Sequence, residues 1–400
     1  MQHKPNIDRL VALYMPITSD DEEREHVSVP SKDEVKGYMP LALAVTNPET
    51  QSVSREALIN VFRDGVAQMP TNRTIYPIIK SIYDAQKGAG GWQIKSGVSK
   101  FSETLDGGQM EVSMVKGQEQ SELGAYVYQL DDLAVDVLVI SLTQWLHTAR
   151  TYNESVMVYI DSVLDYRGIK PKSKGNYSAG HRDSDRQEII SRFELLDKIF
   201  LQVIGLTVYH PGKRMPSKVS LQSKVLAITD RIVENGKPIA YKVTTGEYGR
   251  LLYGENGKQT GLLFQQILKY DYYRHDWEKR IGMYLTFQWA IRKAHGNLNQ
   301  PFRVATILDN IREPLNLRFP NRTRERFESA LAQLKIDGII EDWGYDRGNG
   351  EVLPARKWIN QWLSWTVLLT APAVIVDRYK SVQDSRNKIL ERNKRGKNLA

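Results

Sequence analysis

The residues of this 400-residue chain that could do bond chemistry are scattered. Its seven histidines stand at 3, 26, 147, 181, 210, 275 and 295. No H-x-H, H-x-x-x-H or H-E-x-x-H spacing occurs that would set two imidazoles on one metal ion. Cysteine is absent, which removes thiol nucleophiles, disulfides, thiolate zinc sites and iron–sulfur clusters. The nearest approach to a phosphate-binding loop is Gly254-Glu255-Asn256-Gly257-Lys258-Gln259-Thr260. Its glycines are too close together, and Gln follows the lysine where Ser or Thr is needed. It reads as a hairpin turn. No G-x-S-x-G or G-x-G-x-x-G element is present. The carboxylate pairs Asp131-Asp132 and Glu341-Asp342 read as a helix cap and a strand surface. The expectation is therefore no catalytic residue, no metal and no cofactor, with a carboxylate-built metal nuclease left open as an alternative.

The chemistry that remains is recognition by cations and amides. Net charge is +8 and unevenly placed. Residues 1–60 are acidic, with the run Asp20-Asp21-Glu22-Glu23-Arg24-Glu25, so the excess of Lys and Arg falls on the rest. A basic body suits a polyanionic partner. Hydrophobic residues make up 41% of the chain, enough for real cores. The start lacks a signal-peptide pattern, and the longest apolar run, Trp365 to Val376, is too short to span a bilayer and contains Pro372. A cytoplasmic protein with no membrane partner is expected.

Those groups need elements to hold them. Residues 1–130 read as an extension: an acidic start, helical pieces at Ser54–Gly65 and Thr74–Gln86, then short strands over 92–128 with a hairpin tip at Gly107-Gly108. From Asp131 the pattern sharpens. A helix capped by Asp131 or Asp132 is predicted to Thr151, with Val135, Leu138, Leu142, Trp145 and Leu146 inward. SVMVYI reads as a strand, and Asp161 as the cap of a short helix ended by Gly168. After a Lys/Gly loop comes a third helix from Ser184 to Ile199, then strands turning at Asn235-Gly236. The same order returns: a helix over Tyr272–His295, a strand near Gln300–Val304, and a short helix Ala305–Glu313 stopped by Pro314. A helix capped by Thr323 and ended by Gly338 follows, then strands IIEDWGYD and TVLLTAPAVIVDRY. Local letters agree: Val163-Leu164-Asp165 matches Ile307-Leu308-Asp309, and Arg192-Phe193-Glu194 matches Arg326-Phe327-Glu328.

Helix, strand, helix, helix and a two-strand wing is the order of a winged helix, whose third helix enters a major groove. The expected fold is α+β: an N-terminal α+β extension over 1–130, a first winged-helix domain over 131–271, a second over 272–379, and a basic tail over 380–400. The expected partner is double-stranded DNA. Arg reads guanine, and Asn or Gln reads adenine, in the major groove. In the second copy these groups are Asn321, Arg322, Arg324, Arg326 and Gln333, flanked by Arg318, Arg347, Arg356 and Lys357. In the first copy they are Lys170, Lys172, Lys174, His181, Arg182 and Arg186. Lys213, Arg214 and Lys218 are further phosphate candidates. The tail adds eight Lys/Arg from Arg378 to Lys397.

Two copies carrying VLDYRG…RFELLDKIF and ILDNIR…RFESALAQLKIDGII in this tandem order resemble the iteron-binding replication initiators of bacterial plasmids. The resemblance spans Asp131 to Tyr379. It implies a protein that binds direct repeats at an origin, chiefly through its second domain, while the first contacts DNA or forms a homodimer. Host replication proteins are the further partners it implies. A transcriptional regulator of the same fold stays open beside it.

Overall fold

The structure, a computed structural model, describes residues 61–62, 64–71, 74–87, 91–95, 98–105, 108–115, 127–174, 177–178, 180–208, 217–249, 260–316, 318–346 and 358–380. Strand β1 (Val66–Pro70) comes first, with four of its five residues buried, and helix α1 (Ile75–Lys87) follows. The helix lies close to the expected Thr74–Gln86. The strand was not legible, because its antiparallel partner is Thr260–Phe264, far along the chain. Strands β2 (Trp92–Lys95), β3 (Val98–Leu105) and β4 (Gly108–Val115) form a meander, with Leu105 opposite Gly108 at the tip foreseen there.

Helix α2 (Asp132–Thr148) begins at Asp131, whose Oδ1 accepts the backbone N–H of Ala134 at 2.9 Å. Every residue from Asp132 to Leu146 is buried, so this is an all-round interior helix rather than one with a single apolar stripe. Strand β5 (Val156–Tyr159) runs directly into α3 (Ile160–Tyr166). Asp161 does not cap α3: the helix starts one residue earlier without a side-chain cap, and the Asp161 carboxylate is taken by Arg186 instead. Gly168 ends the turn with φ +72°, a conformation that favours glycine. Inside the Lys/Gly loop, β6 (Ser173–Lys174) and β7 (Tyr177–Ser178) pair as a small hairpin. Helix α4 (Asp183–Leu196) turns Ile189, Phe193 and Leu196 inward.

The strands after α4 divide between two sheets. Strands β8 (Ile199–Val208) and β9 (Ser217–Lys224) extend the N-terminal meander into an antiparallel sheet ordered β2-β3-β4-β8-β9. Strands β10 (Ala227–Glu234) and β11 (Lys237–Thr244) pair with each other, and β11 pairs with β5. Residues 218–233 thus form two strands in different sheets rather than one. Val225 and Leu226 are both buried, which breaks the in–out alternation of a strand and carries the chain from one sheet to the next. The turn at Asn235-Gly236 has φ of +49° and +75°, the left-handed pair of a tight hairpin. Strand pairing of β4 with β8 crosses the boundary expected at 130/131.

After β12 (Thr260–Phe264) and the short α5 (Gln265–Lys269) comes α6 (Asp276–Ala294). It starts later than expected, because Asp271 accepts the backbone N–H groups of Tyr273 and Arg274 in a turn of its own. Strand β13 (Phe302–Arg303), α7 (Val304–Asn310) and α8 (Pro320–Ile336) follow. Thr323 is not the cap of α8: Pro320 opens the helix with its preset φ, and Thr323 lies buried in the next positions. Then come β14 (Asp342–Asp346), α9 (Trp358–Ser364) and β15 (Thr366–Thr370). The stretch AVIVDRY is helical over 373–380 rather than strand. Pro372 ends the sheet pairing, and buried Ile375 with half-buried Tyr379 follow at helical spacing.

The two halves share one topology. In each, the first strand pairs with the third, and the third with the second: β5-β11-β10 and β13-β15-β14. Each first helix is followed by strand, helix and helix before the two later strands, with β6–β7, β8 and β9 added in the first half and α9 in the second. Between them runs a buried ionic seam. Asp136 on α2 meets Lys279 of α6 at 2.8 Å and Arg167 at 2.9 Å, all three almost without exposure. One turn earlier, Asp132 takes Arg280 at 2.7 and 3.0 Å. Arg280 also donates to Gln86 of α1 and lies 4.5 Å above the Tyr83 ring. Burial holds the Asp136 carboxyl above its usual value, against the pull of Lys279 and Arg167. The Lys279 ammonium is spent on Asp136 and on the carbonyls of Ile267 and Leu268 at the end of α5.

Candidate nucleic-acid interface

The leading end of α8 is built by local chemistry. The backbone N–H of Phe319 donates to the Asn316 side chain at 3.0 Å and to its carbonyl at 3.2 Å. This turn sets Phe319 at the helix entrance with an extended φ of −132°, and Pro320 then starts the helix. Phe327, Ala330, Leu331 and Leu334 bury the inner stripe, and the Trp362 ring packs edge-on against Phe327. The opposite side is left exposed at Asn321, Arg322, Glu325 and Ser329.

Three expected groups meet at this end. Arg318, Asn321 and Arg322 are all exposed. Among the described residues, neither Arg318 nor Arg322 has a carboxylate within ion-pair distance. Both guanidinium groups lie over the Phe319 ring, at 5.2 and 4.6 Å. The next arginines differ. Arg324 donates to Glu328 at 2.7 Å, one turn along. Arg326 reaches back to α6, bonding Glu278 at 2.6 and 2.7 Å and Asp276 at 3.3 Å. Burial works against the Arg326 charge, but the Glu278 bonds outweigh it and raise its pKa above the ordinary arginine value. Gln333 donates to Asp337 at 2.9 Å, a carboxylate that also accepts the Tyr270 hydroxyl at 2.6 Å. Arg326 thus ties α8 to α6, Gln333 is engaged at the end of its own helix, and the expected reading face shrinks to the helix entrance. Arg347, Arg356 and Lys357 lie outside the described residues.

In the first copy, Lys170, Lys172 and Arg182 are exposed beside the β6–β7 hairpin. Lys174 belongs to that hairpin by its backbone. The Lys172 N–H donates to the Gly180 carbonyl at 2.9 Å, closing the loop on itself. His181 is not available to a ligand. Its side chain is 1% exposed, with Nε2 at 2.9 Å from Asp165. Arg186 is a bidentate partner of Asp161, at 2.6 Å on both bonds. Asp183, at the start of α4, accepts from Lys237 of the hairpin β10–β11 at 2.7 Å. That hydrogen bond holds the Asp183 carboxyl below its usual range. Lys218 is exposed on β9, while Lys213, Arg214 and the basic tail past Lys380 lie outside the described residues.

Sequence reasoning missed Phe319 and the ionic seam. An aromatic before Pro-Asn-Arg looks like core, and only the fold shows it exposed. The seam was partly visible as Asp132 and Asp136 one turn apart on an otherwise apolar helix, a placement that requires buried partners. Among the described residues, no group of three or more His, Asp or Glu could hold a metal ion. None of their helices is long and apolar enough to cross a membrane.

No protein-family model matches the chain, and no curated protein matches it. Among solved structures it is similar to domains 2 and 3 of RctB. The selenomethionine crystal structure of those domains aligns at 13% identity and a TM-score of 0.35, covering 64% of this chain and 86% of that one. A second crystal structure of RctB domains 2–3 aligns at 14% identity and the same TM-score, covering 60% and 79%. An overlap at that score transfers neither fold nor role.

Proposed function

We propose that this chain is a sequence-specific double-stranded DNA-binding protein made of two tandem winged-helix units, acting by binding free energy alone and without bond chemistry. Its place is the cytoplasm, and its task is to load on direct repeats at a plasmid-type origin. The observation that carries the DNA reading is the entrance of α8. There Arg318, Asn321 and Arg322 stand exposed, and the two arginines keep their charge unspent among the described residues. Donors of this kind at the start of a third helix match guanine and adenine edges and the phosphates beside them. The origin role is supported by the repeated topology, which sets two units of the same strand order in one chain.

The test is a gel shift with purified full-length protein on duplexes from around its own gene, against scrambled duplex, at rising salt. Stepwise shifted bands on direct repeats, persisting at salt that strips the scrambled duplex, are expected. Equal and equally salt-labile binding to both refutes sequence-specific reading. A single shifted species on an inverted repeat moves the assignment to a regulator.

A further inference from the structure

We propose that Phe319 is a specificity residue that contacts the C5-methyl group of a thymine in the major groove, between flanking contacts made by Arg318 and Arg322. The inference rests on the DNA-binding reading of α8. Phe319 is 41% exposed, unlike Phe302 and Phe327 of the same half, which are fully buried. It stands at the entrance of the one third helix whose leading end is basic. The Asn316 turn holds its backbone, which fixes the point from which the side chain leaves the chain.

The two arginines explain why the ring is there. A carboxylate partner would order a guanidinium and also neutralise it, as Glu328 does for Arg324 and Glu278 for Arg326. An aromatic face orders the guanidinium while leaving its full charge and its N–H donors pointing outward. Arg318 and Arg322 flank the ring and leave part of it uncovered. A ligand fitting this arrangement has anionic or acceptor groups flanking an apolar spot. In the major groove of a duplex, the thymine methyl is the apolar group, with phosphates and guanine acceptors near it.

The experiment starts from duplexes selected by the full-length chain out of a randomised 20-base-pair pool. In the best duplex, each thymine is replaced in turn by uracil, which removes only the methyl group. Wild type should lose about fourfold in affinity at one position, the value expected for one buried methyl. Phe319→Ala should bind the parent duplex more weakly and show no loss on that replacement. Phe319→Leu keeps an apolar side chain without the ring faces. It should retain the uracil penalty while weakening both duplexes alike. Circular dichroism of each variant confirms that it is folded. Selection yielding no preferred duplex defeats the underlying DNA reading. A preferred duplex with no uracil-sensitive position, or a penalty that persists in folded Phe319→Ala, overturns the Phe319 proposal and leaves the DNA reading standing.

Discussion

The two third helices, α4 and α8, answer the same structural demand and differ in what they offer to a partner. In both, the arginine of the Arg-Phe-Glu triplet leaves the helix surface for an acid at the start of its unit's first helix: Arg192 for Asp131, at 2.5 and 3.2 Å, and Arg326 for Asp276 and Glu278. The following phenylalanine, Phe193 or Phe327, is fully buried. In the register set by those triplets, the outward positions diverge. Ser184, Asp185 and Glu188 of α4 align with Arg318 and Phe319, which precede α8, and with Arg322 in its first turn. Arg186 cannot offset that acidity toward solvent, because Asp161 holds it. What the copies share is therefore packing, and what separates them is surface charge. Repetition of the letters marks the scaffold, and divergence marks the surface left for a partner.

The largest expected effect tests the shared part. Asp132→Ala leaves the Arg280 guanidinium buried without its carboxylate. It should destabilise the protein by about 3–5 kcal/mol, read by urea denaturation. A loss under about 1 kcal/mol would mean that the seam does not hold the halves together. Arg326→Ala should likewise show its main effect in thermal unfolding, with DNA affinity per folded molecule unchanged.

The next effects test the divergent part. Arg322→Ala should cost about 1–3 kcal/mol in binding a selected duplex and relax preference at one base pair, measured by fluorescence anisotropy on a substitution series. Loss of affinity that is uniform across the series would make Arg322 a phosphate contact only. Arg182→Ala in the first copy should act on all duplexes alike, lowering the salt slope by about 0.9. The smallest and sharpest change is Glu188→Arg, which gives α4 the charge of α8. Should α4 face DNA as α8 does, the salt slope steepens by about 0.9; an unchanged slope assigns that face to something other than DNA.

Particular residues show how far the sequence could be read. The Asp131 cap, the stops at Gly168 and Gly338, and the Asn235-Gly236 turn all follow from local backbone preference, and each stands where expected. The errors have a common origin. Asp161 and Thr323 look like caps, because their types suit the role, but one is drawn off by Arg186 and the other lies inside a helix begun by Pro320. Of the expected DNA contacts, Arg318, Asn321, Arg322, Arg182, Lys170 and Lys172 are exposed. His181, Arg186 and Arg326 bond carboxylates that lie 16 to 50 positions away in the chain.

The lack of thiol chemistry, the basic balance of the body, the repeated order of elements and most of the turns could be read from the amino-acid sequence alone. These depend on residue type and on spacing within a few positions, where propensity and hydrophobic period act. Packing of remote segments decided that β8 and β9 join the N-terminal strands, that Asp132 belongs with Asp136 to the seam rather than to the cap, and which arginines have no acid beside them. A cation's fate depends on whether an acid stands within about 4 Å of it, and that distance is set by how remote segments pack, a quantity that no local pattern contains.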